Sequence, residues 1–271
     1  MLNNVTFGQL YPTQSFVHKM DARVKLLLTI LFVVTIMFVH SYFGYVLTIL
    51  VVFSTIILSK IPIINAIKTI KPMLFIILLT ALLNLFMNSD GKVLCSWWVF
   101  TITDQSLDFA IKMSLRLFLL MLGTTLLTMT TSPMDITDGL ESMLSPLNKI
   151  KFPVADVAIV MSIALRFIPT LMEETDKIMM AQKARGSSLD EGNIIKRCKA
   201  LIPILIPLFV SAWRKSDELA LALDSRCYKS SEKKTKMKVH KLSYRDLIGA
   251  VVIIAYTTVI MLDKYVWLGL F

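Results

Sequence analysis

Two short phrases carry most of the polar chemistry in this sequence. Ala184-Arg185-Gly186 and Ser225-Arg226-Cys227 each set one arginine between two small residues. Each closes a long helix-compatible segment, and each is followed by a polar break, at 187–192 and 229–232. The planar guanidinium fork makes bidentate pairs with carboxylates. Small flanking residues would let such a fork enter a narrow acidic groove without a clash. A single helix-terminal arginine more often simply meets solvent beside the negative helix end. Here two occur, at the same ends of two adjacent helices. The first follows Glu173-Glu174 and the second follows Asp217-Glu218, with Asp224 adjacent. That repetition favours paired docking plugs, because an arginine seated in a desolvated pocket is a common interface anchor.

The elements that position these phrases are set by composition. Of 271 residues, 55% are hydrophobic and only 18% charged, against about 25% charged in a soluble domain. The mean hydropathy is +0.68. Long uncharged windows predict membrane spans near 24–39, 44–58, 73–87, 107–131 and 247–262. Asp21 and Arg23 precede the first, with no small-residue cleavage site after it, so it reads as a retained span. Ile63, Ile64, Ile67 and Ile70 recur at helical spacing among Lys60, Lys68 and Lys71, which predicts a helix lying along the interface. Val93, Trp97, Trp98, Val99, Phe100 and Ile102 favour strand or an aromatic interfacial loop. The two tryptophans read as interfacial anchors rather than a stacking site. Lys112 and Arg116 in the fourth span must snorkel or face protein.

From 132 onward the pattern becomes amphipathic. Ser132-Pro133-Met134-Asp135 is a helix start, with a serine cap and proline at the first position. A longer helix should begin near Val154 and end at Arg185-Gly186, kinked at Pro169. Its apolar stripe (Val157, Met161, Ala164, Ile168, Leu171 and Ile178) opposes Arg166, Glu173 and Lys177, with Glu173 and Lys177 spaced as an i,i+4 ion pair. A second should run from 194 to Arg226, apolar at 201–213 around Pro203 and Pro207 and charged beyond. A basic loop, 233–238, precedes the last span. The resulting architecture is an all-α integral membrane protein with about five transmembrane helices and a cytoplasmic coupling module of amphipathic helices. Its parts are 1–131 with four spans, 132–240 carrying the arginine phrases, and 241–271 with the final span.

The formal net charge of +10 is concentrated in particular loops. Basic loops near 19–25, 60–71 and 132–246 alternate with poorly basic ones at 40–43 and 88–108. The positive-inside rule then places the N-terminus and the arginine phrases in the cytoplasm and the C-terminus outside. The basic residues lack interleaved stacking aromatics, so nucleic acid is not an expected partner. Cys95, Cys198 and Cys227 have no paired spacing for a disulfide frame or a zinc site. The sequence has no G-x-x-x-x-G-K-[ST] loop and no H-E-x-x-H motif. His18, His40 and His240 are too scattered to argue a catalytic pair. Mid-span carboxylates of the proton-relay kind are missing. A self-contained channel or secondary carrier remains the alternative reading, and a membrane enzyme a third.

Two runs of residues resemble the transmembrane (T) component of energy-coupling factor (ECF) transporters, importers of vitamins and trace nutrients. The first is Leu165-Arg166-Phe167-Ile168-Pro169, then Leu171 and Glu173-Glu174, continuing through Ala181-Gln182 to Ala184-Arg185-Gly186. The second is Asp217-Glu218-Leu219-Ala220 leading to Ser225-Arg226-Cys227-Tyr228. Cys227 stands where many relatives have glycine or serine. The resemblance implies two ATP-binding-cassette ATPases (A and A') docked on Arg185 and Arg226. It also implies a separate substrate-binding membrane subunit (S) cradled by the apolar faces of the two long helices. Arg166, Pro169, Glu173, Glu174, Asp217 and Glu218 would support those helices. This chain would bind no cofactor, with ATP and magnesium held by the ATPases. The setting is the lipid bilayer of a prokaryotic cell membrane, and the role is vitamin or micronutrient uptake.

Overall fold

The computed structural model describes residues 11, 13–87, 93–97, 100–146, 154–187, 194–228 and 243–268. The expected polar breaks at 188–192 and 229–232, the basic loop 233–238, His240, Pro153, Trp98 and Val99 lie outside them. Eight helices follow in order: α1 (Ala22–Met37), α2 (Tyr42–Ser59), α3 (Ile63–Met87), α4 (Asp104–Thr130), α5 (Pro133–Leu144), α6 (Val154–Ala184), α7 (Ile194–Ser225) and α8 (Tyr244–Leu268). A short antiparallel hairpin, β1 (Val93–Trp97) and β2 (Phe100–Thr103), joins α3 to α4. This is the segment whose composition favoured strand. The chain divides into two compact units, one holding residues 144–239 and the other 8–143 with 240–271.

In the second unit, four helices are long and apolar enough to cross a membrane: Tyr42–Ser59, Ile63–Phe86, Asp104–Thr130 and Tyr244–Lys264. The remaining expected span, the first in the chain, is α1; it has 16 residues, or about 24 Å of helix, and is short for a hydrocarbon core of about 30 Å. Its packing compensates. At its start, Asp21 N–H donates to Asp246 Oδ1 at the beginning of α8, at 2.8 Å. Just past its end, Lys264 Nζ lies 4.6 Å from the centre of the Phe38 ring. The strand of residues around α1 therefore keeps pace with α8 from one end of that span to the other. Buried polar pairs tie the bundle together midway. Thr48 Oγ1 and Tyr256 OH are 2.8 Å apart between α2 and α8, and Thr35 and Thr257 hydroxyls are 3.1 Å apart between α1 and α8.

Caps explain where the helices begin. Thr103 and Ser106 form a reciprocal capping box, which satisfies backbone donors that a helix start leaves free. It starts α4 at Asp104, before the first apolar residue of the span. Asp21 caps α1 by accepting from Arg23 N–H at 3.0 Å. Ser132 caps α5 as expected, accepting from Asp135 N–H at 3.1 Å and donating to Asp135 Oδ2 at 2.6 Å. The Lys25 ammonium is buried at the foot of α1 and donates to Thr130 C=O at 3.0 Å and His18 C=O at 3.1 Å. A cation is thereby matched to the carbonyl end of α4.

One expectation is corrected. The 60–72 region does not lie as a separate interfacial helix: α3 runs unbroken through Pro72. Ile64 and Ile67 are exposed on it, whereas Ile70 is buried. A proline removes one backbone bond from a helix, but in an apolar medium the remaining bonds favour continuing the helix over exposing peptide groups.

Gly123 marks a close crossing of α1 and α4. A methyl group there would come within 2.3 Å of the Phe32 ring on α1. Gly123→Ala should therefore destabilise the detergent-solubilised protein by about 1–3 kcal/mol, seen as a lower melting midpoint. An unchanged midpoint would show that α1 and α4 do not meet here.

Candidate functional site

The other unit places both arginine phrases at helix ends of identical construction. At the end of α6, Ser187 N–H donates to Gln182 C=O and Gly186 N–H to Lys183 C=O, each at 3.0 Å. At the end of α7, Tyr228 N–H donates to Leu223 C=O at 3.1 Å and Cys227 N–H to Asp224 C=O at 2.9 Å. Gly186 has φ +84° and Cys227 φ +54°. These are two Schellman caps in register, each with a left-handed residue just past the helix. In both, the arginine is the residue that ends the helix, immediately before the left-handed one. Arg185 and Arg226 are exposed, as are Ala184, Gly186, Ser225 and Cys227. Among the described residues neither arginine is in an ion pair, so each guanidinium is free to take a carboxylate.

Two contacts orient α6 against α7. Lys215 Nζ lies 3.2 Å from Glu174 Oε2, and Gln182 Nε2 donates to Pro203 C=O at 3.4 Å. Moving forward along α6 means moving backward along α7, so the helices are antiparallel. Arg185 therefore falls beside the region just before Pro203, some 25 residues from Arg226. At 1.5 Å per residue the two caps are separated by roughly 35–40 Å along the α7 axis. One groove cannot hold both arginines; two can.

The Gln182 bond answers a vacancy that the sequence creates. Pro207 has no N–H, so Pro203 C=O loses the helical partner that residue 207 would have supplied. Gln182 fills that place from the neighbouring helix, and its own carbonyl accepts the Schellman bond from Ser187. The cap that presents Arg185 is thus bonded to the proline step of α7. Spacing of the two prolines is the signal from which this acceptor was readable.

The supporting residues divide. Arg166, Pro169, Glu173, Asp217 and Glu218 are exposed. Pro169 lies within a continuous α6. Glu174 is half-buried against Lys215. The expected Glu173–Lys177 ion pair does not form; the salt bridge in this region joins Lys215 to Glu174. Lys177 acts on Glu174 instead, adding to the Lys215 hydrogen bond and charge that lower its carboxyl below the ordinary value. A neighbouring helix offers a better-fixed partner than a solvated i,i+4 lysine. On α7, Leu201, Leu205, Phe209 and Trp213 follow at four-residue intervals and are all exposed, Phe209 to 68% and Trp213 to 64%. Such a ridge is too large to be an ordinary soluble surface.

A family described as "CbiQ: Cobalt transport protein" matches residues 13–237. A protein of Ruminiclostridium cellulolyticum described as "Energy-coupling factor transporter transmembrane protein EcfT" is 44% identical over 267 residues, 98% of this chain and 100% of that one. The chain belongs to the EcfT family of transmembrane components. Similar EcfT proteins occur in Brevibacillus brevis, 46% identical over 96% of this chain and 98% of the relative, and in Staphylococcus aureus, 39% identical over 98% and 99%. This member of the EcfT family is a multi-pass membrane protein of a prokaryotic transporter, as the runs around Arg185 and Arg226 implied.

Two predictions test the geometry. The left-handed conformation is strained for Cys227 by about 1–2 kcal/mol and free for glycine. Cys227→Gly should therefore slow amide exchange in the last turn of α7, whereas faster exchange would contradict the cap. Because the Glu174 pKa is lowered on folding, its stabilising contribution is complete above its ordinary value of 4.5 and is lost as pH falls through the lowered one. Exchange in α6 around Glu174 should quicken below that point in wild type. Glu174→Gln should lose this acid step, and an unchanged step would contradict the pairing.

Proposed function

We propose that this chain couples ATP hydrolysis on two partner ATP-binding-cassette subunits to a separate substrate-binding membrane subunit, for uptake of a vitamin or micronutrient. The observation that carries the reading is the pair of matched Schellman caps. Each presents an exposed arginine, in no ion pair among the described residues, on a small-residue platform, and the two sit too far apart for one receptor. Arg185 docks in an acidic groove of one ATPase and Arg226 in the groove of the other. ATP and magnesium belong to those subunits, and closure of the ATPase pair moves the two helix ends.

The rest of the unit supplies the lever. Glu174–Lys215 and Gln182–Pro203 link α6 to α7, so displacement of one end is carried to the other helix. Arg166, Pro169, Glu173, Asp217 and Glu218 give these helices their solvated faces. The Leu201–Leu205–Phe209–Trp213 ridge is the cradle for the substrate-binding subunit, whose apolar surface would cover it. In this reading the N-terminus and coupling helices are cytoplasmic and the C-terminus is extracytoplasmic. Substrate choice lies with the separate subunit.

Replacing an arginine anchor typically costs 2 kcal/mol or more, about a 30-fold loss of affinity. Arg185→Ala with Arg226→Ala should abolish ATPase co-purification and transport while membrane insertion stays at the wild-type level. Each Arg→Lys variant should give an intermediate loss, since lysine keeps the charge but not the bidentate fork. Recovery of the ATPases with the double alanine variant at wild-type yield would refute the proposal.

A further inference from the structure

The unbroken α3 carries two lysines into a membrane span. The helix has two faces. Ala66, Ile70 and Ile77 are buried. Ile64, Lys68, Lys71, Phe75, Leu78 and Leu82 follow at alternating steps of four and three, which aligns them on the opposite side. All are exposed, Phe75 to 71% and Leu78 to 69%. Among the described residues, α3 is also the least covered of the four spans. Its outer face is therefore apolar along most of its length, with two cations near its start.

Neither cation is matched within the described chain. No Asp or Glu occurs between Asp21 and Asp90, and neither lysine is in an ion pair among the described residues. Depth makes this costly. Lipid does not tolerate exposed non-helical backbone, so the far edge of the hydrocarbon lies no later than the end of α3 at Met87. From Met87 back to Lys71 is about 24 Å of helix, and back to Lys68 about 28 Å. A hydrocarbon core of about 30 Å therefore reaches past the roots of both lysines. Helical side chains lean toward the helix start, which for α3 is toward the nearer membrane surface. Both stems thus carry their ammoniums back to the phosphate layer, from Cβ atoms about 5–6 Å apart. Beneath them Phe75, Leu78 and Leu82 continue at the depth of acyl chains.

We propose that the outer face of α3 binds an anionic glycerophospholipid, with its phosphate between Lys68 and Lys71 and an acyl chain along Phe75, Leu78 and Leu82. Charge decides the headgroup. A zwitterionic headgroup brings its own ammonium toward the two lysines, whereas a headgroup charged only at phosphate bridges both without that repulsion. The apolar row directly beneath decides for a lipid. A soluble phosphate would leave Phe75 and Leu78 uncovered, and so would a polar acidic protein surface. The geometry is the same whichever side of the membrane α3 starts on, so it does not depend on the sidedness given above.

The test uses the full chain in phosphatidylcholine vesicles that contain a trace of phosphatidylglycerol or of phosphatidylethanolamine. Each trace lipid carries the same photoreactive group in one acyl chain, and adducts are mapped by peptide mass spectrometry. Phosphatidylglycerol should label the Phe75, Leu78 and Leu82 face about fivefold or more above phosphatidylethanolamine, since a basic residue near the surface contributes roughly that factor. Salt at about 1 M should shrink the preference. Lys68 and Lys71 are exposed, so their variants should fold. Lys68→Gln with Lys71→Gln should bring the two lipids level on α3 and leave their ratio on α8 unchanged. Lys68→Arg with Lys71→Arg should keep the preference. Equal labelling of the wild type by both lipids, or no lipid adduct on this face, would overturn the proposal. So would a preference that survives the double glutamine variant, or one that falls equally on α8.

Discussion

The structure depends on how two long helices stop. A helix end leaves carbonyls without partners, and a left-handed residue turns the chain back so that the next N–H groups reach them. Gly186 and Cys227 perform the same turn with the same pair of bonds. The consequence is positional. The residue before each turn is held at the very tip of its helix, pointing outward, and in both cases that residue is arginine. A frayed end would present the same side chain in many orientations and lose the benefit of a preorganised fork.

Antiparallel packing then sets the scale. Glu174 with Lys215 and Gln182 with Pro203 fix the register of α6 on α7, and the register puts the arginine tips tens of ångströms apart. Both links also pass through features that would otherwise weaken the helices. Glu174 would be one acid among several without Lys215. Pro203 C=O would lack an acceptor role altogether without Gln182. The long lever and its two ends are therefore one connected system rather than two helices with separate caps.

Much of this was legible in the residues. The uncharged windows located α2, α4 and α8, and Ser132-Pro133 located the start of α5. Arg185-Gly186 and Ser225-Arg226-Cys227 marked both helix ends, because small residues after a charged helix are a local signal. What was not legible required three dimensions. Periodicity paired Glu173 with Lys177, but the packed neighbour of this region is Lys215, 41 residues beyond Glu174. The basic residues of 60–71 suggested an interfacial helix, yet α3 continues through Pro72 because peptide groups in an apolar medium stay bonded. Cys227 read as one of the small residues flanking Arg226, whereas its φ of +54° shows that backbone handedness, not size alone, is at issue. Lys112 and Arg116 were expected to snorkel or face protein. Arg116 meets Val39 C=O just past the end of α1, which only the approach of α1 to α4 could reveal, whereas Lys112 pairs with Asp108 inside α4 at an i,i+4 spacing the sequence already contained.

The central claim is that the two capped ends meet two separate ATPase grooves. A photo-crosslinking residue placed at Ser187 and, in a second protein, at Tyr228 tests it within the purified complex. The account predicts a crosslink to an ATPase subunit from each position, mapping to acidic grooves on two different subunits. Crosslinks from both positions to a single subunit, or to lipid alone, would contradict it.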